Sequence, residues 1–486
     1  MDERNEFESK GMAAMNEIDV AVIGSGFSGS ILARVLASKG MTVAMIDPQM
    51  HPRFAIGESS TPIADAILRR LGTRYGLKDL ISLSTWGSWQ WDHADLDCGR
   101  KRGFSYFAHP KGQPFSESHI GERSLLAAAS PEDDVADTHW FRADVDHYLC
   151  QQATTEGVAL AAGFSVASIE SSGDQWVLQL SGPDDSPKQL TMRARWVIDA
   201  SGQSAALARL LGARDMADRL QTQTHSTFTH FHGVPSWQET LQASGIDGSE
   251  PFNCDDAAQH HLLGNGWMWM LRFVSGITSV GYTTTVGRPL EWSGYPSIEA
   301  MMKPAWLVRP GVGWQQTDRL QRWFDPICAE RAIMLPTAAL TMDPLHSTGI
   351  AHALAGVERV AGIILDDHSA NDYATSFHRE TMLLDRLVST AYDVMDDFPR
   401  FTAACMLYFA GAIACEERLQ KGETPTALWN ADDPLFVAAT DNACAMIADR
   451  SNDKYETQVR ETIAPWNTAG LMDPAVNNRY AYTATK

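Results

Sequence analysis

Residues Asp19 to Ser30 read D-V-A-V-I-G-S-G-F-S-G-S. Asp19 to Ile23 is an apolar run with the length and composition of a strand. Gly24, Gly26 and Gly29 follow it. Next comes an amphipathic segment, Ser30 to Ser38, which ends in the helix stop Lys39-Gly40. Thr42 to Ile46 reads as a second strand, closed by Asp47. A G-x-G-x-x-G triplet alone says little; placed between a strand and a helix, with an acid about 20 residues on, it describes a dinucleotide-binding βαβ unit. Gly24 permits the tight turn, Gly26 lets the backbone approach a pyrophosphate, and Gly29 lets helix and strand pack closely. Phe27 and Ser28 open the helix, whose unpaired N–H groups face the phosphates, and Asp47 can accept from a ribose.

Two later turns extend the grip. Trp196 to Ile198 reads as a strand, Asp199 to Gly202 as a turn and Ala205 to Leu211 as a helix. From Met334 the chain runs M-L-P-T-A-A-L-T-M-D-P-L-H-S-T-G-I, with Ser347 and Thr348 in capping range of a helix opened by Gly349. Three turns aimed at one ligand suit a large dinucleotide held along its length.

Composition narrows the partners. The 486 residues carry 39 basic and 60 acidic side chains, a formal charge of −21. Nucleic acid and anionic membrane surfaces need a positive face, so neither is expected as a partner. A hydrophobic fraction of 44% with 20% charged residues suits a folded chain. The 15 Trp admit two readings, an aromatic-lined cavity or ordinary core. Seven scattered cysteines without a C-x-x-C pair point to a reducing cytoplasm and to no zinc site. Residues 1–17 lack an apolar signal region, and no apolar run approaches the ~18–20 residues of a membrane span. Ser181 to Pro187 reads as a hairpin loop and Pro131 to Asp137 as an acidic surface loop. His230 and His232 share a strand face, and a plain strand outweighs metal ligation there because no third ligand follows.

Five ordered pieces resemble the flavin-dependent halogenases, within the wider FAD-dependent aromatic hydroxylases. They are the glycine unit, Gly57-Glu58-Ser59-Ser60-Thr61-Pro62, Trp140 to Leu149 with Arg142, Asp199-Ala200-Ser201-Gly202, and Asp343-Pro344-Leu345-His346-Ser347-Thr348-Gly349. The resemblance runs from about Ile18 to about Gly411. It implies FAD as cofactor, held by Gly24, Gly26, Phe27, Ser28, Gly29, Asp47, Ser59, Ser60, Arg142, Asp199, Gly202, Thr337, Asp343, Gly349 and Ile350, with Glu58 in the loop beside the flavin. It also implies reduced FAD from a separate flavin reductase, dioxygen, and chloride or bromide resting on the amides of Thr348 and Gly349. Hypohalous acid would then pass internally to an aromatic or carrier-bound small molecule, in secondary metabolism, and a lysine amine would direct it. Trp267 and Trp269 match the family's W-x-W signature near that passage, although its proline is here Arg272.

Three departures stand out. The stretch where the family carries its lysine, here Ser82 to His93, contains Trp86, Trp89 and Trp91 and no lysine. Lys78 precedes it; Lys101 and Lys111 follow, Lys101 within Arg100-Lys101-Arg102, which reads as a solvated basic loop. His346 occupies a position that is acidic or apolar in relatives and is a candidate acid–base group. Thr337 stands where relatives carry an acid for the FAD ribityl chain. The expected architecture is α/β: a Rossmann-type FAD-binding domain over 18–215 and 320–365, with part of the substrate region inserted near 85–138, a mainly β substrate region over 216–319, and a helical region over 366–486. The candidate catalytic residues are His346, Trp267, Trp269, Glu58 and Lys78. The expected function is halogenation of an electron-rich small molecule. A monooxygenase or oxidase of the same fold without halide, favoured by the missing lysine, and a non-catalytic FAD-binding protein are the alternatives.

Overall fold

The computed structural model describes residues 17–182, 189–264, 266–289, 291–308 and 313–482; most of the Ser181 to Pro187 loop lies outside them. The first strand, Glu17–Ile23, pairs in parallel with Val43–Asp47 on one side and Gln189–Asp199 on the other. Gln189–Asp199 pairs in parallel with Ala332–Met334, and Val43–Asp47 with Ala159–Ala162. Cys328–Ala329 and the hairpin Ser165–Ser172/Gln175–Ser181 complete an eight-stranded sheet. Val20 to Ile23 and Val43 to Asp47 are buried throughout, as in a parallel sheet covered on both faces. Register aligns the strand ends: Ile23 lies beside Ile46 and Asp199, and Asp199 beside Met334. The glycine turn, Asp47, the Asp199 turn and the Pro336-Thr337 turn therefore emerge along one carboxyl edge, the customary ligand crevice of an open α/β sheet.

A nine-stranded sheet holds the second core. It draws Gly103–Ala108 and Ser124–Ala128 from early in the chain, then Thr224–His232, Ala257–Leu262, Gly266–Arg272 and Ile277–Thr285. Arg479–Tyr480 pairs in parallel with Ser124–Ala128, so the end of the described chain returns to this sheet from the helical region.

Gly349–Asp366, Ala370–Asp393 and Phe398–Gln420 are the long helices that cover both sheets. Phe398–Gln420 is long and apolar enough to cross a membrane by length and composition, but 89% of its apolar window is buried inside the fold, as in a core helix. The tryptophans are mostly core: Trp89, Trp140, Trp237, Trp267, Trp323 and Trp429 are fully buried, whereas Trp91 is exposed.

Glu380 ties the helices together. Its carboxylate accepts from both Arg359 terminal nitrogens (2.6 and 3.0 Å) and from the Leu428 amide (2.6 Å), and it meets His352 Nε2 at 3.1 Å. Burial alone would raise its pKa; Arg359 and His352 override that and hold it at about 2. A depressed pKa means that the stabilisation is complete above the ordinary carboxylate range and fades as pH falls toward about 2. Glu380→Gln is expected to cost ~3–5 kcal/mol at pH 7. In urea denaturation the gap to the wild type should narrow markedly at pH 3, and a gap independent of pH would contradict this account.

Candidate functional site

The glycine turn is shaped by close backbone contact. Gly24 has φ +104°, and a Cβ there would lie 2.5 Å from the Ala200 carbonyl oxygen. A Cβ on Gly29 would strike the Gly24 carbonyl and come within 3.0 Å of Ala200 Cβ. Gly26 caps the helix Phe27–Ala37 in extended conformation. The first amides of any helix lack intrahelical acceptors, so this end presents donors to an anion.

The polar residues around the turn are mutually braced. Asp47 accepts from the Ser25 amide and hydroxyl, both at 2.8 Å, and from Arg53 at 2.7 and 2.9 Å. Asp199 accepts from the Ser201 and Leu207 amides, which fixes its turn. Arg142 pairs with Asp146, donates to the Ile56 and Gly57 carbonyls, and lies 4.6 Å over the Phe27 ring. Arg322, absent from the expected set, donates to the carbonyls of Gly202, Gln203 and Thr337 and so clamps two cofactor turns to each other. Ile350 is buried one residue into the helix Gly349–Asp366.

The Gly57 to Pro62 loop lies along a ribbon made of Cys98–Lys101 and Asp137–Trp140. The Trp140 amide donates to the Glu58 carbonyl, and the Ser60 amide to the Thr138 carbonyl. Glu58 is buried with Oε1 2.7 Å from His230 Nε2. His230 is therefore a partner of the loop, and no group of metal-ligating side chains occurs among the described residues. Ser60 Oγ donates to Asp65. Ser59 Oγ and Thr61 Oγ1 are buried hydroxyls without a protein partner.

Lys101 corrects the expectation of a solvated loop. It ends the strand Cys98–Lys101 with no exposed surface. Its Nζ donates to the Ser60 carbonyl and lies 4.2 Å from the centre of the Phe104 ring. Asp137, also fully buried, is its cross-strand partner in register. Arg100 and Arg102 instead pair outward with Asp133 and Asp256. Alternation along a strand sends neighbours to opposite faces, so two half-buried, ion-paired arginines can flank a buried lysine. Lys78 and Lys111 are exposed.

The last turn closes the chamber. Ser347 is left-handed at φ 54°, and Thr348 caps the 18-residue helix Gly349–Asp366 without using its side chain. Gly349 is exposed, and a Cβ there would meet nothing within 4 Å. His346 lies flat on Tyr408 at 4.3 Å, and neither ring nitrogen has a protein partner. Burial pushes its pKa down to about 3, so the imidazole is neutral near pH 7 and is a hydrogen-bonding group rather than a base. Trp267 and Trp269 lie 5.8 Å apart on one face of the strand Gly266–Arg272. The Trp269 N–H reaches Ser279 Oγ, and the Trp267 N–H reaches the Tyr392 hydroxyl. A small cavity is lined by Thr61 and Pro62 of the loop, by Phe104, and by Tyr408, Phe409 and Glu416.

A parallel sheet, a glycine turn and anion-facing helix ends along one edge define an FAD-dependent oxidoreductase. The family model described as FAD dependent oxidoreductase matches residues 19–260. A tetracycline 7-halogenase from Kitasatospora aureofaciens is 28% identical over 453 residues, covering 87% of this chain and 78% of the relative. Monodechloroaminopyrrolnitrin halogenase from Pseudomonas fluorescens is 26% identical, covering 83% and 73%. The crystal structure of halogenase PltM in complex with phloroglucinol and FAD has the same fold, with a TM-score of 0.84 at 23% identity over 96% of this chain and 100% of that one. Along most of its length the chain is similar to flavin-dependent halogenases.

The glycine geometry is directly testable. Gly29→Ala is expected to weaken FAD binding at least tenfold in a flavin fluorescence titration, because the Gly24 carbonyl that the new methyl would strike is backbone and cannot yield. Gly40→Ala, at a left-handed glycine (φ +81°) with open space around it, should cost fold stability but leave the FAD affinity of the folded protein unchanged.

Proposed function

We propose that this chain uses reduced FAD, dioxygen and a halide to halogenate an electron-rich aromatic or carrier-bound small molecule. The observation that carries the reading is Lys101, an amine buried between the Gly57 to Pro62 loop and the Phe104 ring. The lack of a lysine in Ser82 to His93 was the ground for the oxygen-transferring alternative, and a buried amine from a neighbouring strand supports the halogenase reading instead.

The residues present fit FAD. Gly24 and Gly29 leave no room for side chains, and Gly26 opens a helix toward the crevice. The unpartnered Ser59 and Thr61 hydroxyls offer hydrogen bonds in the loop beside it. Gly24, Gly26, Phe27, Ser28, Gly29 and Asp47 would hold the dinucleotide end, and Ser59, Ser60, Arg142, Gly202, Thr337 and Ile350 would line the rest. Bound FAD in reduced form supplies two of the four electrons that reduce dioxygen; the halide supplies the other two and leaves as hypohalous acid.

The protein's share is placement. The amides of Thr348 and Gly349 begin a helix and face an open exposed position, a fitting seat for a halide. Lys101 offers an ammonium donor, or an amine, on the path toward Phe104 and the cavity beyond it. His260, Tyr408 and Phe409 pack around the Phe104 ring beside it and add aromatic surface there. His346 can donate at one nitrogen and accept at the other while neutral. The free cysteines agree with a cytoplasmic setting, and a separate reductase completes the reading.

The test supplies reduced FAD, air, bromide or chloride, and a reactive phenol such as phloroglucinol, with product read by mass spectrometry. Halide-dependent halogenated product is expected; a hydroxylated product insensitive to halide would overturn the reading. Lys101→Ala should lower product formation at least ~100-fold, as general acid–base groups contribute ~10²–10⁴-fold, with FAD still bound. Lys78→Ala should match the wild type. Because His346 is held neutral, no limb of the pH–rate profile between pH 5 and 8 should disappear in His346→Asn.

A further inference from the structure

Asp343 opens the D-P-L-H-S-T-G turn and is buried. Its Oδ1 accepts from the Leu345 amide at 3.1 Å, which shapes the turn from within. Its Oδ2 accepts from two hydroxyls that belong to distant parts of the chain: Thr224 Oγ1 at 2.8 Å and the Tyr392 hydroxyl at 2.9 Å. Thr224 lies on the strand Thr224–His232, and its hydroxyl in turn accepts from Gln321 Nε2 at 2.7 Å. Tyr392 lies at the end of the helix Ala370–Asp393, and its oxygen also accepts from Trp267 Nε1 at 2.8 Å.

We propose that Tyr392 is a positioning residue that acts through Asp343, joining the W-x-W strand to the turn bearing Thr348 and Gly349 and so setting the shape of the halide seat. This rests on the halogenase reading. The physical case is one of geometry and scarcity. A carboxylate in an apolar interior keeps its charge only where donors surround it. Burial pushes Asp343 up to about 6, against the pull of Thr224, Tyr392, the Leu345 amide and Trp267. Around neutral pH it is thus an anion that depends on these donors, none of them a cation. The Tyr392 hydroxyl has one proton, directed to Asp343, and one incoming donor, the Trp267 indole. Removing it leaves both Trp267 N–H and one face of the carboxylate unsatisfied inside the protein. Beyond Asp343 the turn is held by the Ser347 amide on the Pro344 carbonyl and by His346 stacked on Tyr408, while the Thr348 side chain makes no capping bond. Displacement of Asp343 would move the Thr348 and Gly349 amides, five and six residues along the same turn.

The test reads anion binding apart from turnover. Bromide is titrated into FAD-loaded protein, in the absence of reductant, and the flavin absorption band is followed. Tyr392→Phe is expected to need about tenfold more bromide, a loss of ~1.4 kcal/mol, with FAD affinity within threefold of wild type. In turnover the bromide KM should rise by a similar factor while kcat at saturating bromide stays within threefold. Bromide affinity and KM within twofold of wild type would overturn the proposal. If Tyr392→Phe fails to fold, Thr224→Val decides: it removes the other hydroxyl on the same carboxylate oxygen, and an unchanged bromide titration would overturn the anchoring role of Asp343. Wild-type protein that binds bromide but forms no halogenated product would count against the halogenase reading alone.

Discussion

The buried contact between Lys101 and the Ser60 carbonyl is the constraint around which the site is arranged. An ammonium can be kept in an interior only with acceptors at hand and an aromatic face or a carboxylate nearby. Here the carbonyl comes from the cofactor loop, the ring from Phe104 and the carboxylate from Asp137 across the ribbon. Each belongs to a different segment. The loop can approach the ribbon because its own backbone joins it as a short extra strand, with Glu58 and Ser60 exchanging bonds with Thr138 and Trp140. The amine and the cofactor loop are consequently one unit: neither can shift without leaving a buried polar group unpaired. The small cavity begins on the Phe104 side of that unit, against Tyr408 and Phe409 from the C-terminal helices.

What could be seen in the residues divides by the range of the interaction. The glycine turn was legible because its causes are local: a strand, a turn that tolerates no Cβ and a helix follow one another within a single supersecondary unit. The shape of the Asp343 to Gly349 turn was legible for the same reason, as a short motif with its own caps and helix start. Lys101 was not, since Arg100-Lys101-Arg102 has the composition of a solvated loop. Only strand alternation, together with Asp133 and Asp256 waiting outside for the arginines, separates the three fates. A strand of four residues is too short for its period to declare itself against such strong charge. The pairing of Glu58 with His230 and the bridge from Trp267 through Tyr392 to Asp343 were hidden more deeply. Nothing in the spacing of those residues announces that they meet.

Electrostatics makes the same distinction between global and local. A chain of charge −21 repels anions at long range, yet the proposed function needs a halide and a pyrophosphate. Screening confines surface charge to roughly a Debye length, ~8 Å at physiological salt, so an anion at a helix start answers mainly to its immediate walls. Those walls are neutral amides at helix starts, not a basic patch. Buried histidines reinforce this: His139, His260 and His346 are each held near 3 by burial and stay uncharged. Lys101 lies among these uncharged rings beside the Gly57 to Pro62 loop.

The family match over residues 19–260 covers the glycine turn, the loop and Lys101, but the chamber does not end there. Tyr392, Tyr408, Phe409 and Glu416 come from two helices beyond it. One of these residues braces the turn opened by Asp343, another stacks on His346, and the rest wall the cavity. A helix that merely covered a core would need only apolar volume at these positions, and a phenol hydroxyl with two buried hydrogen bonds is a costly way to fill space. The polar fittings on the inner face of the cover therefore argue that it completes the site. Differences in substrate among relatives sharing the same cradle would then arise where the cradle and these helices meet, at Phe104, Tyr408 and Glu416, rather than in the cofactor turns themselves.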